Sequence, residues 1–530
     1  MRNCIVVCLL GVLAVIGCTK KGAAYRPKMQ ELRFNLKTEP PTLDPRKSSD
    51  ITSFTIINLC FEGLLRSNEV GELTLAAAEH MEISEDQMRY TFTLRDALWS
   101  DGEKVTAYDF EKSWKTVLDP AFPCDFVTNF YVIKHAKAAK AGRCSLEEVG
   151  IVALDEKTLQ IDLEHPASYF LSSLAGGYFM PTPSHLTEKY THWTDTHYVA
   201  NGPFFLTQHK DHHSISLQKN PFYWDQKSIR LEKVSFAMIE DETTELSMFE
   251  NAELDWAGSP LSNLPTEALP SLVKNKTLQR YDIAGTYSYM FNTTVFPFTN
   301  KHIRQAFSLA INRQEIISDV TQMHQLAATS LVPPLLWGKV TSYFQDASSA
   351  QARTYFEMGL NELGITREEF PSVSLSYNSS SIHHKIAQAI QQQWRSTLGV
   401  EVKLSNKEWK VFLGEMRQGK FQIGRMGSIA EINDPISFLD QYRYLSSNLN
   451  YSHWNNPHFS ELLEQADLTG DQEKRLALLS QAEKLLIEEM PMAPIYFYTG
   501  SYIKQPYVKG VRVSAFNQLD LKGAYVEIND

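Results

Sequence analysis

The 530-residue sequence has no basic run or stripe, and 51 Lys+Arg against 62 Asp+Glu leave a formal net charge of -11. A nucleic-acid partner needs a cationic footprint, so none is expected. Cysteine is scarce: of 6 in all, Cys4, Cys8 and Cys18 lie at the N-terminus, and Cys60, Cys124 and Cys144 remain. An odd number cannot form a full disulfide framework. A Cys124–Cys144 pair and two free thiols both stay open, and there is no CxxC. No apolar stretch after the N-terminus reaches the ~18 residues of a membrane span. GxSxG, HExxH, a P-loop and a GxGxxG following a strand are all missing. A chain this long without a nucleophile or metal motif leans towards binding over catalysis, and no cofactor is expected. At 530 residues it exceeds one core, which implies two or three domains. Aromatic content of 11% is on the high side and suits binding grooves as well as cores.

What is present begins with a targeting segment. Met1-Arg2 is a short positive start, residues 4–16 are apolar, and Gly17 precedes Cys18 and polar Thr19-Lys20-Lys21. This resembles a bacterial lipoprotein signal (residues 1–18) in which Cys18 becomes the lipidated N-terminus, and residues 19–28 read as a tether. The alternatives are an ordinary signal peptide and an uncleaved anchor.

The stretch with most chemistry is 421–439. Phe421 and Ile423 alternate with Gln422 and Gly424 as in a strand, and Asp434-Pro435 reads as a helix start. Arg425 and Glu431 sit on the path between, with Gly427 supplying backbone freedom. One cation and one anion near a strand end suit a ligand carrying both charges, such as a free peptide. On these residues alone a surface ion pair is the simpler reading.

Elsewhere, residues 32–36 alternate like a strand and lead to Glu39-Pro40-Pro41-Thr42. The prolines favour extended backbone there, able to pair with a bound peptide or to serve as a plain connector. Residues 52–65 suggest a helix. Thr106 to Asp109 forms a capping box, which with the Trp99–Gly102 turn gives Asp101 and Asp109 structural roles. His209, His212 and His213 cluster in a polar loop, where a solvated turn outweighs a metal site. A helix capped near Asn300 buries Ile303, Ala306, Phe307, Ala310 and Ile311. Strand 373–377 precedes a helix starting at 379–381, with His383 in its first turn, where an anion is favoured. Trp409 opens another helix.

Leu43-Asp44-Pro45, Phe61-Glu62-Gly63-Leu64-Leu65, Trp99-Ser-Asp-Gly, Asn201-Gly202, Asn220-Pro-Phe-Tyr-Trp-Asp and Glu408-Trp409, taken with 425–439, resemble the peptide-binding solute receptors of ABC transporters, across nearly all of the mature chain. The resemblance implies an α/β fold of the two-lobe type II (cluster C) periplasmic-binding kind, with mixed sheets flanked by helices and an extra domain. Lobe I would hold 29–52, 196–285 and 500–530, the extra domain 53–195, and lobe III 286–499. It implies capture of short peptides between lobes and delivery to a permease and ATPase complex, by a monomer of the bacterial envelope held to the membrane only by Cys18. Glu431 would bind the peptide amine, with Asp434 the next candidate. Arg425 and His383 would bind the carboxylate, and Glu39, Thr42 and Trp409 would line the site. Pro40 and Pro41 thin the backbone ladder. Gly285 and Ile429 match the positions of a disulfide found in some members, and Ser428 stands where those carry Trp. Within the same fold, a cell-wall tripeptide, nickel or haem are the alternative ligands, metal using the His209 loop or His383-His384.

Overall fold

The computed structural model describes residues 29–48, 50–67 and 72–528. The expected signal and tether, with Cys18, lie outside the described residues. A four-stranded sheet runs in the order Glu31–Asn35, Lys233–Ala237, Ser214–Lys219, Phe204–Lys210, its first pair parallel and the others antiparallel. A second four-stranded, antiparallel sheet is built from Ala78–Ile83, Arg89–Leu94, Thr158–Asp162 and Ile151–Ala153. The largest sheet has seven strands and is mixed, centred on Gln279–Phe291.

Two large hydrophobic cores and a small cluster of Ala257, Leu264, Leu269 and Ile503 occur among the described residues. One large core joins residues between Leu32 and Trp256 with Val508 to Val526, and the other lies between Ala284 and Tyr496. The break expected at 195/196 therefore separates sheets, while both parts share one core. Two 13-residue strands, Gln279–Phe291 and Met492–Lys504, run antiparallel from one body to the other. At one end Met492–Lys504 pairs with Trp256–Gly258, and further along Gln279–Phe291 pairs with Ile423–Ile429. Their pairing shifts register between Asp282 and Thr286, an irregularity suited to a bend between bodies.

Local expectations are met where side chains commit the backbone. Asn300 caps Lys301–Leu309, whose inner face is buried. The Thr106/Asp109 capping box forms, and Asp109 also accepts from Trp99 Nε1 at 3.4 Å, a structural role. Cys124 and Cys144 are free thiols. The helix read over 52–65 is shorter, Ile51–Cys60. Asn201 explains the stop: its Oδ1 accepts from Glu62 N at 3.0 Å, and its Nδ2 donates to Glu62 O at 2.8 Å. One amide thus satisfies both backbone groups that a continuing helix would have used. The Glu62 carboxylate in turn accepts from Trp224 Nε1 at 2.6 Å and from the Tyr223 hydroxyl, and lies 3.5 Å from Arg66. Three of the sequence marks, around Glu62, Asn201 and Tyr223-Trp224, are thereby one buried polar knot.

Candidate functional site

The strand Ile423–Ile429 carries Arg425 well inside it, beyond the point where the alternation suggested it would end. It extends because Gln279–Phe291 pairs with it along its whole length, with Tyr289 opposite Arg425, Tyr287 opposite Gly427 and Gly285 opposite Ile429. Arg425 and Glu431 are consequently not neighbours. The four steps from 425 to 429 alone span ~13 Å of strand. The expected ion pair is absent among the described residues.

Arg425 instead rests on tyrosines. Its guanidinium lies 4.6 Å from the centroid of the Tyr287 ring. Nη2 donates to the Tyr498 hydroxyl at 2.8 Å and Nη1 to Asn378 Oδ1 at 3.4 Å. No carboxylate pairs with it among the described residues, and its Nε has no hydrogen-bond partner. Gly427 has no positive φ, so it supplies space in place of backbone freedom: a Cβ there would collide with the Tyr498 hydroxyl. His383 Nδ1 lies 3.2 Å from the Tyr287 hydroxyl. Burial first, then the charges of Arg425 and Lys37, hold its pKa well below the ordinary imidazole value. His383 is thus neutral near pH 7, able to offer a hydrogen bond but no charge. Lys37, next to Leu36 of the first core, is bound loosely to Glu242 at 3.4 Å.

At the other end, Glu431 follows the strand on a loop. Its backbone N donates to Ser437 Oγ at 2.9 Å, and Asn129 Nδ2 donates to its Oε2 at 2.8 Å. No cation pairs with it among the described residues. Burial pushes its pKa up to about 7, with the Asp440 charge acting the same way and hydrogen bonds from Asn129 and Tyr178 acting against it. Asn129 and Tyr178 sit on segments packed in the first core, and Glu431 on a loop of the second, so the carboxylate is gripped across the gap between bodies. Two cavities meet at Glu431. One, of about 370 Å³, is lined by residues from distant parts of the chain, including Glu62, Ala284, Asn433 and Phe516. The other, of about 130 Å³, lies between the segments around Asn129 and Tyr178 and those around Ile436 and Tyr444.

The remaining expected residues fall as follows. Asp434 does not face a ligand: Arg475 takes both its oxygens at 2.7 and 3.0 Å, both side chains being buried, and Asp434 Oδ1 accepts from Ile436 N. Its task is to pin the loop that carries Glu431. Glu39 accepts from His212 N at 2.8 Å and contacts His209 Nε2 at 2.5 Å. The histidine loop therefore clamps the Glu39 segment, and no group of three metal-ligating side chains occurs among the described residues. Thr42 is tied into its own turn, its Oγ1 accepting from Asp44 N. Trp409 is 43% exposed and lines neither cavity. Gly285 and Ile429 are cross-strand partners, where a disulfide-bearing relative would bridge.

Reading the sequence missed Tyr287, Tyr498, Asn129, Tyr178 and Lys37. The repeats Tyr287-Ser-Tyr289 and Tyr496-Phe-Tyr498 carried a usable signal, since period-two tyrosines put rings on one sheet face. Asn129 and Tyr178 lie in one-turn segments with no pattern to read.

Residues 72–450 match the bacterial extracellular solute-binding proteins, family 5 Middle. The chain belongs to that family. It is 42% identical over 502 residues to the oligopeptide-binding protein OppA of Bacillus subtilis, covering 93% of this chain and 92% of that protein. Haemophilus influenzae OppA in complex with RPPGFSPFR superimposes with a TM-score of 0.87 at 26% identity, covering 95% and 100% of the two chains. The Escherichia coli murein tripeptide binding protein MppA gives 0.87 at 30% identity, covering 94% and 99%. Its unliganded open form gives 0.68, with 94% and 98% covered. The bodies here stand closer to the arrangement of the peptide complex than to that of the open form.

A carboxyl whose folded pKa is raised stabilises the fold fully below its unfolded pKa and loses that contribution as pH rises through the folded value. For Glu431 the loss sets in above the ordinary value of 4.5 and is essentially complete once pH has passed about 7. Glu431→Gln is therefore expected to unfold at higher temperature than the unliganded wild type at pH 8, with the gap closing by pH 5. Thermal melts at both pH values check this; a variant less stable at pH 8 would mean that the carboxylate is already compensated.

Proposed function

We propose that this chain is the extracytoplasmic receptor of an ABC transporter, closing on short peptides and handing them to a membrane permease and ATPase complex. The observation that carries the reading is a pair of half-buried groups on one strand and its loop, the Glu431 carboxyl and the Arg425 guanidinium, neither with a counter-charge among the described residues. A zwitterionic peptide supplies both, its α-ammonium to Glu431 and its carboxylate to Arg425. His383 adds a neutral hydrogen bond, and Lys37 a second cation from the facing lobe. The names of the relatives, oligopeptide-binding and murein tripeptide binding, support the same ligand class.

Closure follows from where the contacts sit. Glu431 to Asn129, Arg417 to Asp125 at 2.8 Å and Lys385 to Glu267 at 2.9 Å all cross between bodies. The last two are partly exposed and weak singly. A ligand touching both sides adds the larger share of the free energy that favours the closed state. In this reading the receptor releases what it binds unchanged.

Calorimetry with free and N-acetylated tetrapeptides on wild type and Glu431→Gln tests the reading. Free peptide is expected to lose ~3 kcal/mol, roughly a hundredfold, in the variant. Acetylated peptide binds wild type poorly and loses little more. Equal losses for both peptides would place the amine elsewhere.

The membrane attachment belongs to the same proposal, resting on Gly17-Cys18 after the apolar run. Cys18→Ser is expected to abolish fatty-acid labelling and release the protein from membranes. A wild type that takes up no label and washes off would end the anchor reading.

A further inference from the structure

The smaller cavity beside Glu431 has a chemistry that its larger neighbour lacks. Phe126, Tyr131, Tyr169, Tyr178 and Tyr444 line it. Tyr178 is fixed by stacking on Phe126, with ring centroids 4.6 Å apart, and by an edge contact to Phe54 at 4.9 Å. Its charged lining is Glu431, Asp440 and Asp467 against Lys137 and Arg443. Arg443 serves two of these carboxylates, lying 2.7 Å from Asp440 and 2.5 Å from Asp467. Lys137 sits over the Tyr444 ring at 4.2 Å. Glu431 is the carboxylate left over.

Once a peptide α-ammonium occupies Glu431, the formal charges around the cavity balance at three of each sign. A further charge of either sign would then enter a partly desolvated space with no partner, which is costly. The volume of about 130 Å³ is of the size class that admits a benzene ring, roughly 150 Å³. The side chain of a peptide's first residue leaves the atom bonded to the ammonium, so it starts at the junction of the two cavities. Resting on the peptide reading above, the geometry points to this cavity as a selective subsite for a large uncharged, preferably aromatic, first side chain. Lobe III and the extra domain build it jointly, so the extra domain contributes to ligand choice.

The experiment is calorimetry of the full-length protein at pH 8 with Phe-Ala-Ala, Ala-Ala-Ala, Lys-Ala-Ala and Glu-Ala-Ala. Phe-Ala-Ala is expected to bind roughly tenfold or more tighter than Ala-Ala-Ala, from burial of the ring, with both charged peptides weaker than Phe-Ala-Ala. Lys137→Gln, an exposed substitution, removes one cation from the balance. It is expected to raise the affinity for Lys-Ala-Ala severalfold relative to Phe-Ala-Ala. Equal binding of the Phe and Ala peptides, a charged peptide binding tightest, or a Lys137→Gln variant with unchanged ratios would each overturn the subsite while leaving the peptide reading standing. No binding by any of the four would overturn that reading and the inference with it.

Discussion

A half-buried carboxylate with no cation beside it among the described residues is the constraint around which this molecule is arranged. Leaving a charge so placed costs free energy, and Glu431 registers the cost as a raised pKa, driven by burial. Two hydrogen-bonding residues of the facing body, Asn129 and Tyr178, offset it in part. They stabilise the anion without neutralising it, and the proposed peptide amine would supply the neutralising charge. Arg425 mirrors this at the other end, cradled by tyrosine rings and hydroxyls instead of a carboxylate.

Much of the remaining structure keeps these two groups in place. Arg425 is fixed by a strand paired along its length with Gln279–Phe291. The loop bearing Glu431 is pinned through Ser437 and by the buried Asp434–Arg475 pair, whose disruption would leave an uncompensated charge. Glycine at 427 makes room for Tyr498 to reach the guanidinium. The two long strands that cross between the bodies connect the site to closure.

The sequence made the architecture legible because the family marks are themselves structural. Glu62, Asn201 and Tyr223-Trp224, far apart in the sequence, meet in one buried network. The capping box at Thr106 and the Asn300 cap were readable because a cap is a local interaction. Glu431 and Arg425 stood out by charge type, yet their separation did not, since strand length was set by a partner strand more than a hundred residues away. The same holds for Asp434, which looked free until Arg475 arrived from a helix 41 residues on. The tyrosine floor and the Asn129 and Tyr178 contacts are tertiary facts, and only folding brings them to the charged residues.

With a pKa of about 7, Glu431 is partly protonated when empty and, on the proposed function, ionises when a peptide amine arrives. Binding near pH 6.5 must then expel a proton from the free protein's Glu431. Calorimetry of a free peptide at that pH, in buffers of different ionisation enthalpy, measures this proton directly. The account predicts release of a large fraction of one proton per peptide, shrinking towards zero by pH 9 before the peptide's own amine is considered, and no such release in Glu431→Gln. Binding enthalpies independent of buffer at pH 6.5, with tight binding retained, would contradict it.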